Sequence, residues 1–181
     1  MASFDLAIDT ILKNEGGLVN NPRDPGGITN FGISLRFLAS LGLKYDFNKD
    51  GKVDDKEIKE LTPEHAKLIY QNEFWLKGAF DKVINQKVAT YLFDMAVNMG
   101  VPQAIKLSQR SLWAINKQYH FVDDDGLIGS KTLDAINQAG LMLIPVLMSE
   151  RAGYYRMLAA LKPENHGDDL NGWLNRTYRA S

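Results

Sequence analysis

A glycine- and proline-rich segment, residues 14–34, constrains the fold of this chain more than any other part of the sequence. Gly16 and Gly17 stand near its start, where helices commonly end in a left-handed residue. Pro22 and Pro25 fix the backbone farther along, and the glycines beside them let it bend. The sequence therefore predicts that a first helix ends at the start of this segment and opens into a loop of defined shape.

Glu15 is the last residue of this predicted helix, and it continues the apolar stripe of the helix. It lies four residues after Ile11 and three after Leu12, which places it on their face. Partial burial raises the pKa of a carboxyl group, and the negative end of the helix dipole acts in the same direction. A carboxyl group that stays protonated near neutral pH can act as a general acid. A surface glutamate in the last helical turn fits the same position equally well.

Asp24 follows Glu15 by nine residues, and Thr29 follows Asp24 by five. A Glu, an Asp and a Thr in this order, with the last two on a loop after the first helix, is the arrangement of phage-type lysozymes. Residues 15–34 read Glu-Gly-Gly-Leu-Val-Asn-Asn-Pro, then Asp-Pro-Gly-Gly-Ile-Thr-Asn-Phe-Gly-Ile-Ser after one arginine. This stretch more closely resembles the N-terminal signature of glycoside hydrolase family 108, whose members are N-acetylmuramidases found mainly as phage endolysins.

The resemblance implies hydrolysis of the β-1,4 bond between N-acetylmuramic acid and N-acetylglucosamine in peptidoglycan, with Glu15 as the general acid. In phage-type lysozymes the Asp and the Thr help to organise the attacking water, which makes Asp24 and Thr29 the candidates here. Their spacing is one residue shorter than in the lysozyme pattern. An Asx-type hydrogen bond that fixes the Pro-Gly-Gly turn is the alternative role for Asp24.

Three further residues are candidates for contacts with the sugar chain: Asn30, Trp75 and Asn98. Asn30 directly follows Thr29. Trp75 closes a helical run of apolar residues, and aromatic residues at helical spacing are more often part of a core. Asn98 is a polar residue near the end of a predicted buried helix, where it either binds substrate or hydrogen-bonds within the helix.

Residues 46–57 fit every position of the EF-hand calcium loop. Gly51 occupies the sixth position, where the loop turns sharply. The predicted ligands are the side chains at positions one, three, five, nine and twelve and the backbone carbonyl at position seven: Asp46, Asn48, Asp50, Asp54, Glu57 and Lys52. Calcium requires six to eight hard oxygen ligands, which this loop supplies. We expect a structural or modulating calcium ion, and a charged surface loop with a chance match is the alternative.

The remaining sequence predicts a mainly α, lysozyme-like fold with a short β or loop element after the first helix. The clearest helix covers 86–99, where apolar residues recur at steps of three and four. Residues 93–100 resemble the segment that follows the catalytic half of the same family. The chain beyond resembles the family's C-terminal peptidoglycan-binding domain. We expect a muramidase region at 1–98, with the calcium loop inserted, and a peptidoglycan-binding helical region at 99–181 packed closely on it.

Composition and net charge limit the classes of partner that the protein is expected to bind. The net charge of −1 gives no electrostatic footprint for nucleic acid, and the absence of cysteine excludes disulfides and cysteine-ligated metals. No apolar run approaches a membrane span, and the first residues lack the basic and apolar regions of a signal peptide. We expect a monomer made in the cytoplasm that reaches peptidoglycan in the cell wall with the help of a separate holin-like protein.

Two other functions fit the same residues. A lytic transglycosylase also uses one glutamate, but it leaves an anhydro sugar end in place of a reducing end. A non-catalytic, calcium-dependent wall-binding protein would use Glu15 only for structure. A Glu15→Gln variant separates an enzyme from a binding protein, because it keeps the size of the side chain and removes the proton chemistry.

Overall fold

The computed structural model describes residues 1–15, 17–19, 27–161 and 169–179, and the side chains of residues 13–15 lie outside that description. The fold is mainly α, which confirms the prediction. Its α-helices within these ranges are α1 Phe4–Glu15, α2 Leu35–Ser40, α3 Asp55–Glu60, α4 Pro63–Tyr70, α5 Gln86–Met99, α6 Val101–Asn116, α7 Ser130–Ala139, α8 Leu143–Leu161 and α9 Leu170–Tyr178. Shorter helical turns cover Gly42–Tyr45, Gln71–Trp75, Phe80–Lys82 and Gly140–Met142.

The chain divides into two compact units. The smaller unit is Ile8–Glu73, and the larger unit combines Met1–Ala7 with Phe74–Ser181. The predicted boundary between residues 98 and 99 falls inside the last turn of α5, which packs against α6 within the larger unit. The division into a catalytic region and a wall-binding region therefore stays a prediction about function, and it differs from the division into compact units.

The smaller unit contains a β-hairpin of two short antiparallel strands, β1 Thr29–Asn30 and β2 Ile33–Ser34. The turn between them has two residues in the left-handed region, Phe31 with φ of 51° and Gly32 with φ of 76°. Positive φ at both central residues is typical of the two-residue turns that match the twist of a hairpin. The extended element predicted after the first helix is thus a tight hairpin.

Aromatic side chains fill part of the core of the larger unit. Trp75 is 2% exposed, and its ring packs edge-on against Phe4, Phe80 and Phe93 at centroid distances of 5.9, 6.0 and 5.3 Å. Phe93 belongs to α5, in which every residue from 88 to 96 is buried, so burial extends beyond the apolar face that the periodicity predicts. Edge-to-face aromatic pairs of this kind add to the free energy gained from burial alone.

A buried ion cluster joins α5, α8 and α9 in the larger unit. The Asp94 carboxylate on α5 accepts a hydrogen bond from Arg151 Nη1 at 2.8 Å and from Arg176 Nε at 2.9 Å. Arg151 is fully buried, with the rings of Tyr91 and Tyr155 beside its guanidinium at 5.5 and 5.6 Å. Burial by itself would lower the pKa of Arg151. The opposite charge of Asp94 and the neighbouring tyrosines raise the pKa by more than burial lowers it, so the net pKa shift is upward.

Among the residues that the structure describes, one helical stretch, Ser130–Leu161, is long and apolar enough to cross a membrane by length and composition alone, whereas the sequence led us to expect no run that approaches a span. Helices in protein cores meet the same criterion. The helix α8 in this stretch packs against α6 and α9 and carries the buried Arg151. The packing accounts for part of its apolar character within the fold, and the finding by itself assigns no membrane role.

We expect the variant Asp94→Ala to lower the free energy of unfolding by about 3–5 kcal/mol, because it leaves the buried charge of Arg151 without its counter-charge. The matched control is Asp124→Ala, which removes a partly exposed ion pair with Arg110 of 2.9 Å and should cost about 1 kcal/mol or less. Urea unfolding of both variants measures the difference. Equal losses would show that the Asp94 cluster contributes no more than a surface pair.

Candidate functional site

The helix α1 ends at Glu15, as the sequence predicts. Its buried face includes Ile8 and Ile11, which are 1% and 0% exposed, and Glu15 lies four residues after Ile11 on the same side of the helix. The side chain of Glu15 lies outside the described residues, and so does all of Asp24. Their catalytic roles stay predictions.

Thr29 lies on β1, where its backbone is paired on both sides. Its N–H donates to the Val19 carbonyl at 2.9 Å, and its carbonyl accepts from the Val19 N–H at 2.8 Å. Across the hairpin it is paired with Ser34. Val19 belongs to the chain segment that leaves the end of α1, four residues after Glu15. The hairpin therefore holds the candidate residue Thr29 and the segment that follows Glu15 in one backbone ladder.

Side-chain hydrogen bonds attach the hairpin to two helices of the smaller unit. Asn30 is 6% exposed, and its amide Nδ2 donates to the carbonyl of Ile58 on α3 at 3.0 Å. The Tyr70 hydroxyl on α4 donates to the Phe31 carbonyl in the turn at 2.8 Å. The structure thus turns the Asn30 amide inward, onto a protein carbonyl, and a contact with sugar by this residue stays a prediction.

The predicted calcium loop, residues 46–57, is folded around its own side-chain oxygens. Asp46 Oδ2 accepts from the Gly51 N–H at 2.9 Å, Asn48 Oδ1 from the Asp50 N–H at 3.0 Å, and Asp50 Oδ1 from the Lys52 N–H at 3.0 Å. Gly51 has φ of 81°, the left-handed conformation expected at the sixth position of the loop. The first half of the loop therefore has the turns that its sequence predicts.

Glu57 lies in the first turn of α3, and its carboxylate contacts the loop. It is 2% exposed, and its Oε1 accepts from the Phe47 N–H at 3.0 Å. Its Oε2 and the Oδ1 of Asp46 are both buried, and neither has a hydrogen-bond partner within the part of the chain that the structure describes. A buried carboxylate oxygen without a partner costs free energy. A cation bound between positions one and twelve would satisfy both oxygens.

Side chains alone do not assemble a complete metal site. No three His, Cys, Asp or Glu side chains in the described ranges form a group that could hold an ion. An EF-hand ligand set is mixed, however, because the amide of Asn48 and the carbonyl of Lys52 also belong to it. Two of the predicted ligands have other partners. Lys56 Nζ lies 3.9 Å from Asp50 Oδ2, and Asp54 Oδ1 accepts from the Lys56 N–H at 2.9 Å and so caps α3. The two buried oxygens without partners among the described residues, Asp46 Oδ1 and Glu57 Oε2, are the stronger evidence for a cation site. They cost free energy without a cation whatever the conformation of the exposed side chains.

The buried acid Glu73 accepts hydrogen bonds from the two residues before the loop, Lys44 and Tyr45, and the sequence did not predict this contact. Glu73 Oε1 accepts from the Tyr45 hydroxyl at 2.7 Å and from Lys44 Nζ at 2.6 Å. The hydrogen bond to Glu73 raises the pKa of Lys44, and burial followed by the Glu73 interaction raises the pKa of Tyr45. The Phe47 ring, at loop position two, stacks on His65 at 3.9 Å. The signal in the sequence is a glutamate among apolar residues of a helical segment.

Two of the predicted sugar contacts lie in the larger unit. Trp75 is buried among phenylalanine rings, which gives it a packing role. Asn98 is half-buried on α5, and with its amide oxygen turned toward Arg176 that oxygen lies 2.7–3.0 Å from the three guanidinium nitrogens. This contact joins Asn98 to another helix, α9, so it is neither a substrate contact nor the hydrogen bond within α5 that the sequence offered as alternatives. Contacts of either side chain with sugar stay predictions.

A family model described as glycosyl hydrolase 108 matches residues 8–100, more than half of the chain. The chain belongs to this family. A second model, described as a predicted peptidoglycan domain, matches residues 103–178. The solved structure of Brucella abortus SagA is 29% identical over 98% of this chain and 95% of that chain, with a TM-score of 0.72. Comparison with curated protein sequences gives no match.

Membership in the glycosyl hydrolase 108 family confirms the family resemblance seen in the sequence and makes the protein a glycoside hydrolase that acts on peptidoglycan. The first match begins within α1 and contains the hairpin, the predicted calcium loop and α5. The peptidoglycan domain begins in α6. The two matches meet near the predicted boundary at residues 98 and 99.

The peptidoglycan domain contains a turn at Asp125-Gly126 that is part of the packing. Gln109, 1% exposed on α6, donates to Asp125 Oδ1 at 2.8 Å and accepts from the Gly126 N–H at 3.0 Å. Gly126 has φ of 77°, and a Cβ at this position would lie 2.7 Å from the Pro102 carbonyl oxygen. A glycine is therefore required here by conformation and by space.

We expect Gly126→Ala to lower the free energy of unfolding by about 1–3 kcal/mol, because the alanine would be strained at positive φ and would collide with the backbone. Gly129→Ala, three residues away, is the control. It has ordinary φ and no neighbour within 4 Å of the added Cβ, and should cost less than about 1 kcal/mol. Thermal unfolding compares them, and equal stability of the two variants would contradict the packing role.

Proposed function

We propose that the protein is an N-acetylmuramidase of the endolysin type, which hydrolyses the β-1,4 bond between N-acetylmuramic acid and N-acetylglucosamine in peptidoglycan. The observation that carries the proposal is the family match over residues 8–100, within which α1 ends at Glu15. The peptidoglycan domain matched at residues 103–178 supports the same substrate.

In the proposed mechanism Glu15 protonates the oxygen of the leaving sugar, and a second group supports the attack on the anomeric carbon. The backbone of Glu15 lies at the end of α1, and the negative end of the helix dipole favours the protonated acid that this step needs. A protonated carboxyl group at the end of α1 is the element of the site on which the reaction depends.

Thr29 is the proposed partner that orients the attacking water. The paired backbone of β1 fixes its position. Its hydroxyl donates to the Gly27 carbonyl at 3.4 Å, which is long for a hydrogen bond. A weakly bonded hydroxyl on a fixed backbone is suited to hold a water. Asp24 is the proposed base. A separation of about 6.5–9.5 Å between its carboxyl group and that of Glu15 would indicate inversion at the anomeric carbon.

We also propose that residues 46–57 bind one calcium ion with a structural or modulating role. The support is the buried carboxylate oxygens of Asp46 and Glu57 that lack partners among the described residues, together with the left-handed Gly51. The remaining ligands would come from Asn48, Asp50, Asp54 and the Lys52 carbonyl. The ion supplies positive charge to a loop of carboxylates and takes no part in proton transfer.

The variant Glu15→Gln tests the assignment of the acid. We expect wild type to release fragments with reducing N-acetylmuramic acid ends from purified peptidoglycan, and Glu15→Gln to be slower by about 10²–10⁴-fold, because the amide cannot deliver a proton. Glu64→Gln, an exposed acid in the first turn of α4, is the matched control and should keep the wild-type rate. Mass spectrometry of the released fragments measures rate and chemistry together.

Each contrary result of this experiment points to a different function. Anhydro ends would move the protein to the lytic transglycosylases. Equal digestion by wild type and Glu15→Gln would show that the acid lies elsewhere. Binding to peptidoglycan without release of fragments by any variant would leave a wall-binding protein.

Removal of calcium tests the loop. At a calcium concentration about 100 times the Kd, binding to the native state alone adds about 2.7 kcal/mol, so the Tm of wild type should rise. We expect Glu57→Gln to lose most of this shift, because position twelve supplies two of the ligand oxygens. Glu60→Gln, an exposed acid on the same helix, should keep it. A Tm that chelation leaves unchanged in wild type would remove the calcium proposal.

A further inference from the structure

We propose that Asn30 is a positioning residue through which calcium binding controls the order of the catalytic hairpin. Calcium bound at Glu57 fixes α3, and the hydrogen bond from Asn30 to Ile58 transmits that order to β1. This inference rests on the proposed function, since it names how the calcium loop acts on the same site. All of the residues involved belong to the smaller unit, Ile8–Glu73.

The first step connects the ion to α3. Glu57, the twelfth loop residue, and Ile58, the acceptor for Asn30, are neighbours on the six-residue helix Asp55–Glu60. A helix this short has little stability of its own. Asp54 caps its start through the Lys56 N–H, and the buried Ile58 holds it against the core. An ion held by Glu57 at one end of the loop and by Asp46 at the other would fix the position of this helix.

The second step connects α3 to the hairpin. The Asn30 amide reaches across 28 residues of sequence to the Ile58 carbonyl at 3.0 Å, and both residues are buried. A buried hydrogen bond to a backbone carbonyl is directional and excludes water, so displacement of α3 strains it or breaks it. Asn30 itself pairs with Ile33 across the hairpin. The position of β1 therefore depends on the position of α3.

The third step connects the hairpin to the reaction. Thr29 precedes Asn30 on β1, and its backbone pairs with Val19 in the segment that leaves α1 after Glu15. Movement of β1 thus changes the position of the Thr29 hydroxyl and of the chain beside the catalytic acid. Calcium acts on the rate by this route without contacting the substrate.

The test compares wild type with Asn30→Ala and Ser34→Ala. Ser34 lies on the same hairpin and caps α2 through the Phe37 N–H at 3.2 Å, so its variant weakens the hairpin region without removing the bond to α3. The readout is the rate of release of reducing ends from peptidoglycan in saturating calcium, divided by the rate in chelator. We expect a ratio of about fivefold or more in wild type and in Ser34→Ala. In Asn30→Ala we expect a ratio near one.

Hydrogen exchange measured by mass spectrometry gives a readout that needs no activity. Calcium should slow amide exchange at residues 46–57 in wild type and in Asn30→Ala alike. At residues 28–34 it should slow exchange in wild type and in Ser34→Ala, but not in Asn30→Ala. The last comparison separates transmission through Asn30 from a general loss of stability, because all three proteins still bind the ion.

Three results would overturn the inference: no calcium effect on exchange at residues 28–34 in wild type, the same effect in Asn30→Ala as in wild type, or an equal activity ratio in those two proteins. Failure of the proposed function gives a different pattern. In that case calcium protects residues 28–34 of wild type through Asn30, while no reducing ends appear with or without the ion.

Discussion

The hydrogen bond from the Asn30 amide to the Ile58 carbonyl is the interaction on which the organisation of the smaller unit depends. Strands of two residues are too short to hold a hairpin together by their ladder alone, and β1 and β2 have two residues each. The hairpin therefore takes its order from contacts at its sides. Asn30 attaches it to α3, and Tyr70 attaches its turn to α4.

The same constraint bears on the predicted calcium loop, residues 46–57, which lies within the glycosyl hydrolase 108 match. The hairpin carries Thr29 and pairs with the segment after Glu15, so an enzyme that depends on their positions depends on α3 and α4. The loop precedes α3, and its Phe47 ring stacks on His65 in the first turn of α4. An ion in the loop would order both supports of the hairpin at once.

The larger unit is built around a different kind of contact. Asp94 forms ion pairs with both Arg151 and Arg176 and so joins α5, α8 and α9. Tyr91 on α5 adds a second link to α9, because its hydroxyl donates to the Thr177 carbonyl at 2.9 Å. Burial of charge is costly unless the partners are in place. The cluster therefore favours one arrangement of these helices over others that bury the same apolar residues.

The sequence predicts those features that are set by local chemistry. The end of α1 at Glu15 follows from two glycines, the left-handed turn at Gly51 follows from the loop pattern, and the mainly α fold follows from apolar periodicity. The family follows from a motif of about twenty positions. Partners distant in sequence are not set in this way. Asn30 meets Ile58 28 residues away, and Asn98 meets Arg176 on another helix. The helical spacing of apolar residues predicts that Trp75 can be buried, but it does not predict which aromatic rings surround it.

Calcium titration of the Glu15→Gln variant, alone and with a bound N-acetylglucosamine–N-acetylmuramic acid oligosaccharide, tests the central claim most directly. We expect this slow variant to hold the sugar with little cleavage during the titration. If calcium orders the hairpin for substrate, then substrate must strengthen calcium binding by the same factor, because coupling between two sites is reciprocal. We expect calorimetry to give a calcium Kd about fivefold or more lower with the oligosaccharide present. The same Kd in both titrations would contradict the account.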